Sequence, residues 1–344
     1  MERVEGRGRP TLKVTRFFIW MAALGIIVPP LHEIWGHLAV ALGLKGGGWA
    51  ESAQWGFAGW YHFAGQLPPH GELIYFAGGL VVFVLLMACW IWFYRSVTLW
   101  DMGEEMAVFF WAIVSLFYGI TEGLMGFDII PYERFFLVSG ITTGVGALAA
   151  VLIYIFVFGK RIEKWLFWKE EYIWVEGKAR LVNKVVGTLV FAGILGCIAG
   201  SLNQWFQDIF CKAAGGQSQI EKIFWGVGQD IHFVQLPANH AWTINLAGLA
   251  VFLIFFAFWI WPYLSKTRGD LNIELPLAAW GIAELSYGAI KLWSHFHPGW
   301  TFSETILTIL PLATAIIVVG LYLPTKYVPW LTEKEVINRR IPRK

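Results

Sequence analysis

Charged side chains are scarce in this chain. Asp, Glu, Lys and Arg make up 15% of its 344 residues, against about 25% in soluble domains, which argues against a water-soluble globule of this size. An excess of either sign is missing too. The net charge of +2 supplies no basic face of the kind that marks nucleic-acid binding, so no nucleic-acid partner is expected. Cysteine is nearly absent: Cys89, Cys197 and Cys211 form no CxxC pair and cannot all be bridged, which excludes a disulfide framework. What remains is apolar. Hydrophobic residues reach 57%, and the 17% aromatic share includes 21 Trp, rings that suit membrane–water interfaces. The composition is that of a polytopic membrane protein, with the lipid bilayer as its first partner.

A bilayer span needs roughly 20 predominantly apolar residues. Eight stretches qualify: 17–43, 73–94, 106–124, 135–158, 185–202, 242–263, 275–293 and 302–323. Pro29-Pro30 interrupts the first, which is either a kinked span or a short span followed by a separate helix. No small-residue cleavage site follows the basic N-terminus, so an uncleaved signal anchor is expected. With that end inside and strict alternation, 21 Lys and Arg fall on inside segments and 5 outside. This bias predicts two cytoplasmic termini; the expected setting is the plasma membrane of a prokaryote.

The chain repeats itself at an offset near half its length. WGFAGWYHFAGQLPPH, from Trp55 to His70, reads against WGVGQDIHFVQLPANH, from Trp225 to His240. The run from Val81 matches the run from Ala250, and Trp111, Tyr118 and Gly119 pair with Trp280, Tyr287 and Gly288. The expected fold is therefore all-α, with eight transmembrane helices as two tandem four-helix repeats. Four spans per repeat is an even number, so the two insert in parallel orientation. Residues 1–158 form the first repeat and 185–344 the second. The basic, aromatic segment 159–184 is a cytoplasmic linker, expected as an interfacial helix. No strand pattern stands out.

All eight histidines fall on the outer side of this topology. The sharpest motif is LHEIWGH, with His32, Glu33 and His37. Ionisable groups inside an apolar segment are costly and point to function. Histidine is a common metal ligand, and a neighbouring Glu can act as general base. Spacing is the difficulty. In an α-helix, residues i and i+5 lie about 140° apart, against about 40° for i and i+4. The pair can share one ion only if a π-bulge resets the register; Gly36 permits one, and Pro29-Pro30 already disturbs the preceding backbone.

PPLHEIWGHLAVALG resembles the zinc-binding helix of the site-2 protease family of intramembrane metalloproteases. That family carries HExxH in one span and an Asp ligand two spans later. The resemblance covers the first four spans and implies zinc held by His32, His37 and Asp128, with Glu122 as a substitute for the Asp. It further implies Glu33 as general base, a membrane-protein substrate, and hydrolysis of a peptide bond within or near the bilayer. The sequence departs from the family by one extra residue before His37 and by lacking an intact Asn-Pro…Asp-Gly signature around Asp128. In the second repeat the corresponding stretch, LNQWFQD from Leu202 to Asp208, has no His and no Glu.

A different class competes. Membrane hemes are held by His from facing spans, commonly near one face. His70 and His240 start the second span of each repeat, and SHFHPGW places His295 and His297 at the last. An HxH at the outer start of a span resembles the heme-ligating pair of heme-copper oxidases, and FYGITEGLM resembles a stretch of the nitric oxide reductase branch. These residues would bind heme or copper, in a redox protein working with other membrane subunits. A third reading is a duplicated transporter or scaffold, which parallel repeats also suit.

Overall fold

The computed structural model describes residues 3–6, 10–52, 59–65, 68–95, 102–167, 170–176, 181–221, 226, 231–237, 241–264, 271–299, 302–322, 324–325 and 336–338. The chain divides into two units. Unit 1 comprises Met1–Gly48, Tyr61–Gly177 and Val336–Lys344; unit 2 comprises Trp49–Trp60 and Lys178–Glu335.

Pro10 opens α1 (Pro10–Pro30) at a helix position where the missing N–H costs little. Pro29 and Pro30 then remove two successive backbone donors from the i→i−4 ladder. The register changes directly behind them. Leu31–Leu38 is a π turn, closed by the Ala39 amide on the Ile34 carbonyl, five residues back, and α2 (Ala39–Gly43) completes the run. The first span is thus one helical rod with a changed pitch, and no separate helix follows the prolines. Unit 1 continues through α3 (Glu72–Arg95), α4 (Met102–Gly126) and α5 (Tyr132–Phe167). Unit 2 contains α6 (Leu181–Ala213), α7 (Ala247–Leu264), α8 (Leu271–Phe296) and α9 (Glu304–Tyr322). In unit 1, α4 packs on α1, α3 and α5; in unit 2, α8 packs on α6, α7 and α9.

Among the described residues, six helices are long and apolar enough to cross a membrane: Lys13–Gly43, Glu72–Ile91, Met102–Gly126, Tyr132–Gly159, Val185–Ala213 and Ala241–Ile260. The protein is a multi-pass, predominantly helical membrane protein. Its lipid-facing character is plain on α5, where Phe136, Leu137, Ile141 and Phe156 are exposed. In water such a stripe would be an aggregation site; in a bilayer it is solvated.

Strands are present after all. β1 (Arg3–Gly6), β4 (Glu170–Glu176) and β7 (Val336–Asn338) form a sheet in the order β1-β4-β7. Two short ribbons join β2 (Gly48–Ser52) to β3 (Gly59–Phe63) and β5 (Gln217–Gln219) to β6 (His232–Gln235). Segment 159–184 is not an interfacial helix of its own: α5 runs into it, and β4 occupies its middle. Its EEYIWVE alternates polar and apolar positions in part, the period-2 pattern of a strand.

Several contacts of unit 1 recur inside unit 2. Trp111 Nε1 donates to the Met21 carbonyl at 3.0 Å, and Trp280 Nε1 to the Ala192 carbonyl at 2.9 Å. At the end of α2, Leu44, Lys45 and Gly46 N–H bond Val40, Leu42 and Ala41 carbonyls at 2.9, 3.1 and 2.8 Å. At the end of α6, Ala214, Gly215 and Gly216 N–H bond Phe210, Lys212 and Cys211 carbonyls at 3.1, 3.0 and 2.8 Å. Lys45 and Gly215 both take the left-handed conformation, with φ 59° and 86°. Gly79 abuts Gly119 and the Ser115 carbonyl; Gly248 abuts Gly288 and the Glu284 carbonyl. Such glycine pairs let two helices cross closely. The offsets are 171 for Met21 and Ala192, 170 at the two helix ends, and 169 for the tryptophans and crossing glycines. One position is lost across the stretch that holds the π turn. Of the repeated loop motif, Trp55, Gly56, Trp225 and His240 lie outside the described residues.

Near the start of α4, Glu104 is buried and accepts hydrogen bonds from Arg16 and from Trp20 Nε1 at 3.0 Å. Replacing Glu104 by Ala removes a buried anionic partner from the Arg16 cation. The expected loss is about 2–3 kcal/mol, below the full cost of a broken buried pair because Arg16 keeps partial solvent access; thermal melts in detergent measure it.

Candidate metal centre

The π turn gathers the predicted motif. In it His32, Glu33 and His37 are 6%, 6% and 4% exposed, and one ligand atom from each lies within 4.8 Å of the others. A ladder of i→i+5 bonds brings residues five apart onto one face, so His32 and His37, which an α-helix would splay, meet. Their Nε2 atoms are 3.0 Å apart and the rings stand perpendicular. Across from them on α4, Glu122 is buried, with Oε2 3.0 Å from His32 Nε2 and Oε1 3.6 Å from His37 Nε2.

Neighbouring atoms fix this arrangement. His37 Nδ1 is 2.7 Å from the Ile74 carbonyl of α3. Only a protonated Nδ1 can bond a carbonyl, so in the neutral ring Nε2 keeps its lone pair and faces the cluster. The Tyr118 ring, one turn before Glu122, lies 5.3 Å from the His32 ring. Space comes from glycine. A Cβ on Gly78 would stand 2.6 Å from His32 Cε1, His32 Nε2 and His37 Cε1, and a Cβ on Gly36 would strike the Gly78 backbone.

Several buried polar atoms of unit 1 have no hydrogen-bond partner, among them Glu33 Oε2, Glu122 Oε2, Ser115 Oγ and the Tyr61 hydroxyl. Tyr61, on β3, packs its ring 5.8 Å from that of His37, and burial pushes its hydroxyl up to about 12, so it stays a proton donor. Ser115 is on α4, one turn before Tyr118. Thr121, Ser286 and Ser294 bond a carbonyl of the preceding turn at 3.0, 2.8 and 2.9 Å; Ser115 does not. Each unsatisfied buried group costs roughly 1–3 kcal/mol.

The remaining expected site residues lie elsewhere. Asp128 is exposed in the turn after α4, with φ 57°. Glu122, rather than Asp128, is the acid brought to the imidazoles, because α4 remains helical to Gly126 and its penultimate turn faces the π turn. His70 is exposed in a turn, 3.8 Å from Glu72. His295 and His297 are exposed at the end of α8, with His297 stacked 3.9 Å from Trp293. His240 lies outside the described residues. Sequence reasoning missed Tyr61, Ile74, Gly78 and Ser115. Only the Gly78-Gly79 pair carries a signal, that of a close helix crossing.

Unit 2 carries amides where unit 1 has imidazoles. Asn203 and Gln207 are i and i+4 on an unbroken α6; Gln207 Nε2 donates to Asn203 Oδ1 at 2.5 Å, and Asn203 Nδ2 to Glu284 Oε2 at 2.6 Å. Comparison with protein-family models, curated proteins and solved structures finds no match to this chain.

Proposed function

We propose that this chain is an integral-membrane metalloenzyme, a zinc-dependent intramembrane peptide hydrolase with its centre in unit 1. One observation carries the reading: the convergence of His32 Nε2, His37 Nε2 and the Glu122 carboxylate in a buried place. Tetrahedral zinc with bonds of 2.0–2.1 Å has ligand–ligand edges of about 3.3–3.4 Å. The two imidazole Nε2 atoms are 3.0 Å apart and Glu122 Oε2 is 3.0 Å from His32 Nε2, close to that edge, while the other carboxylate oxygen, Oε1, lies 3.6 Å from His37 Nε2. Two His and one Glu, leaving a fourth position open, is the donor set of a catalytic rather than a structural zinc. A bound ion would supply Lewis acidity. Glu33, beside the cluster with Oε2 unbonded, takes a proton from the attacking water and delivers it to the departing amide nitrogen.

The same proposal includes eight spans in two parallel four-helix repeats, with both termini cytoplasmic. The recurring tryptophan, helix-end and glycine contacts support the duplication. α8 and α9 supply the last two spans; the embedded Glu284 of α8 is fully buried and bonded to Asn203. The heme or copper alternative has no comparable convergence among the described residues.

Elemental analysis of the detergent-purified chain tests the centre. The wild type is expected to hold about one zinc per chain. His32→Ala/His37→Ala loses it, and Glu33→Gln keeps it while hydrolysis falls by at least about 100-fold. A Soret band, or iron or copper that survives in the double variant, overturns the reading.

A further inference from the structure

Unsatisfied buried groups in unit 1, on the π turn and on elements packed near it, call for an explanation, because buried polar atoms in native proteins are almost always bonded. Glu33 Oε2, Ser115 Oγ and the Tyr61 hydroxyl come from the π turn, α4 and β3, so no single misfit of one element accounts for them. Their chemistry is complementary. A carboxylate accepts; a hydroxyl donates or accepts. The unit 2 counterpart of Ser115, at the 169-residue offset of the neighbouring Gly119 and Gly288, is Glu284, whose carboxylate is bonded to Asn203. Where unit 2 joins two side chains across the helices, unit 1 has a bare hydroxyl.

We propose that Ser115 and Tyr61 bind the ligand of the unit 1 centre, donating hydrogen bonds to carbonyl oxygens of an extended peptide segment whose polar hydrogens are accepted by Glu33. This rests on the metal centre proposed above. An amide-type ligand matches the set because it carries both the N–H that a carboxylate needs and the oxygen that a hydroxyl needs. An ester supplies only the second. The stability forfeited by leaving three groups unbonded is recovered when the ligand docks, as expected where stability is traded for function.

Cobalt(II) loading with acetohydroxamate as the probe gives a test that needs no known substrate. A hydroxamate presents a carbonyl oxygen together with N–H and O–H. The wild type is expected to take up about one cobalt per chain and to show a saturable change in its visible spectrum on titration. Tyr61→Phe and Ser115→Ala are each expected to keep the cobalt and to bind the probe about 5- to 10-fold more weakly, the loss of one hydrogen bond. Without probe, each should melt no lower than wild type, because the substitution removes an unsatisfied group. A merely structural role would leave probe affinity unmoved. Affinities within about twofold of wild type, no probe binding by the cobalt-loaded wild type, or loss of cobalt in either variant overturns the proposal and leaves the centre standing. A wild type that takes no cobalt removes the centre, and the proposal with it.

Discussion

Deleting Trp35 is expected to leave about one metal ion per chain, although it shortens the motif itself. The π turn accommodates one more residue than an α-helical turn would. Taking that residue out turns HExxxH into HExxH and lets the segment relax to α register, where i and i+4 lie about 40° apart on one face. This is the arrangement that unit 2 already has, with Asn203 and Gln207 bonded to each other on a continuous helix. The drop in offset from 171 to 170 across the same stretch says that one unit differs from the other here by a single residue. Gly36 survives the deletion and stays next to His37, so its contact with Gly78 is preserved. The contrasting variant, Gly36→His/His37→Gly, also writes HExxH into the sequence but keeps the extra residue. Its new side chain starts where a Cβ strikes the Gly78 backbone, and its metal is expected to be lost. Elemental analysis of the two variants decides the matter: equal metal contents would mean that the π turn does not set the register of the pair.

The helical, multi-pass architecture is legible in the sequence because the bilayer demands long apolar runs, and hydropathy reads such runs directly. The π turn is legible too. His32 and His37 at i and i+5 are useless to one ion in an α-helix, and two prolines stand in front of them. Glu122 is legible only as a second choice behind Asp128. Which turn of α4 faces the π turn depends on how helices cross, and hydropathy says nothing of crossing register. The β4 strand escapes such a reading because a basic, aromatic linker suits an interfacial helix equally well; its pairing with β1 and β7 joins segments far apart in the chain. Ile74 leaves no sequence signal at all. It serves the site through its carbonyl, which every residue possesses.

Gly78→Ala is expected to abolish metal binding with a change of one methyl group. The added Cβ would sit 2.6 Å from atoms of both imidazoles, far inside the roughly 3.5–4.0 Å of van der Waals contact. Neither ring can yield alone. His37 is pinned through Nδ1 to the Ile74 carbonyl, one turn before Gly78 on the same helix, and His32 is held between His37 and the Glu122 carboxylate. The rings must therefore separate or the π turn must back away from α3, and either movement spoils a three-ligand set. Overpacking of this kind costs about 1–3 kcal/mol of stability, so the variant should still fold, and a metal affinity at least about 100-fold weaker is expected, the scale on which displaced supporting groups act on metal sites. Unit 2 provides the internal control. At the 169-residue offset of the crossing glycines, the counterpart of Gly78 is Ala247, buried in the unit that has amides in place of imidazoles. Ala247→Gly should therefore change metal content by nothing and stability by about 1 kcal/mol. If Gly78→Ala retains wild-type zinc, the imidazoles are free to move apart while still sharing an ion, and the close packing of α3 on the π turn is not what holds the centre.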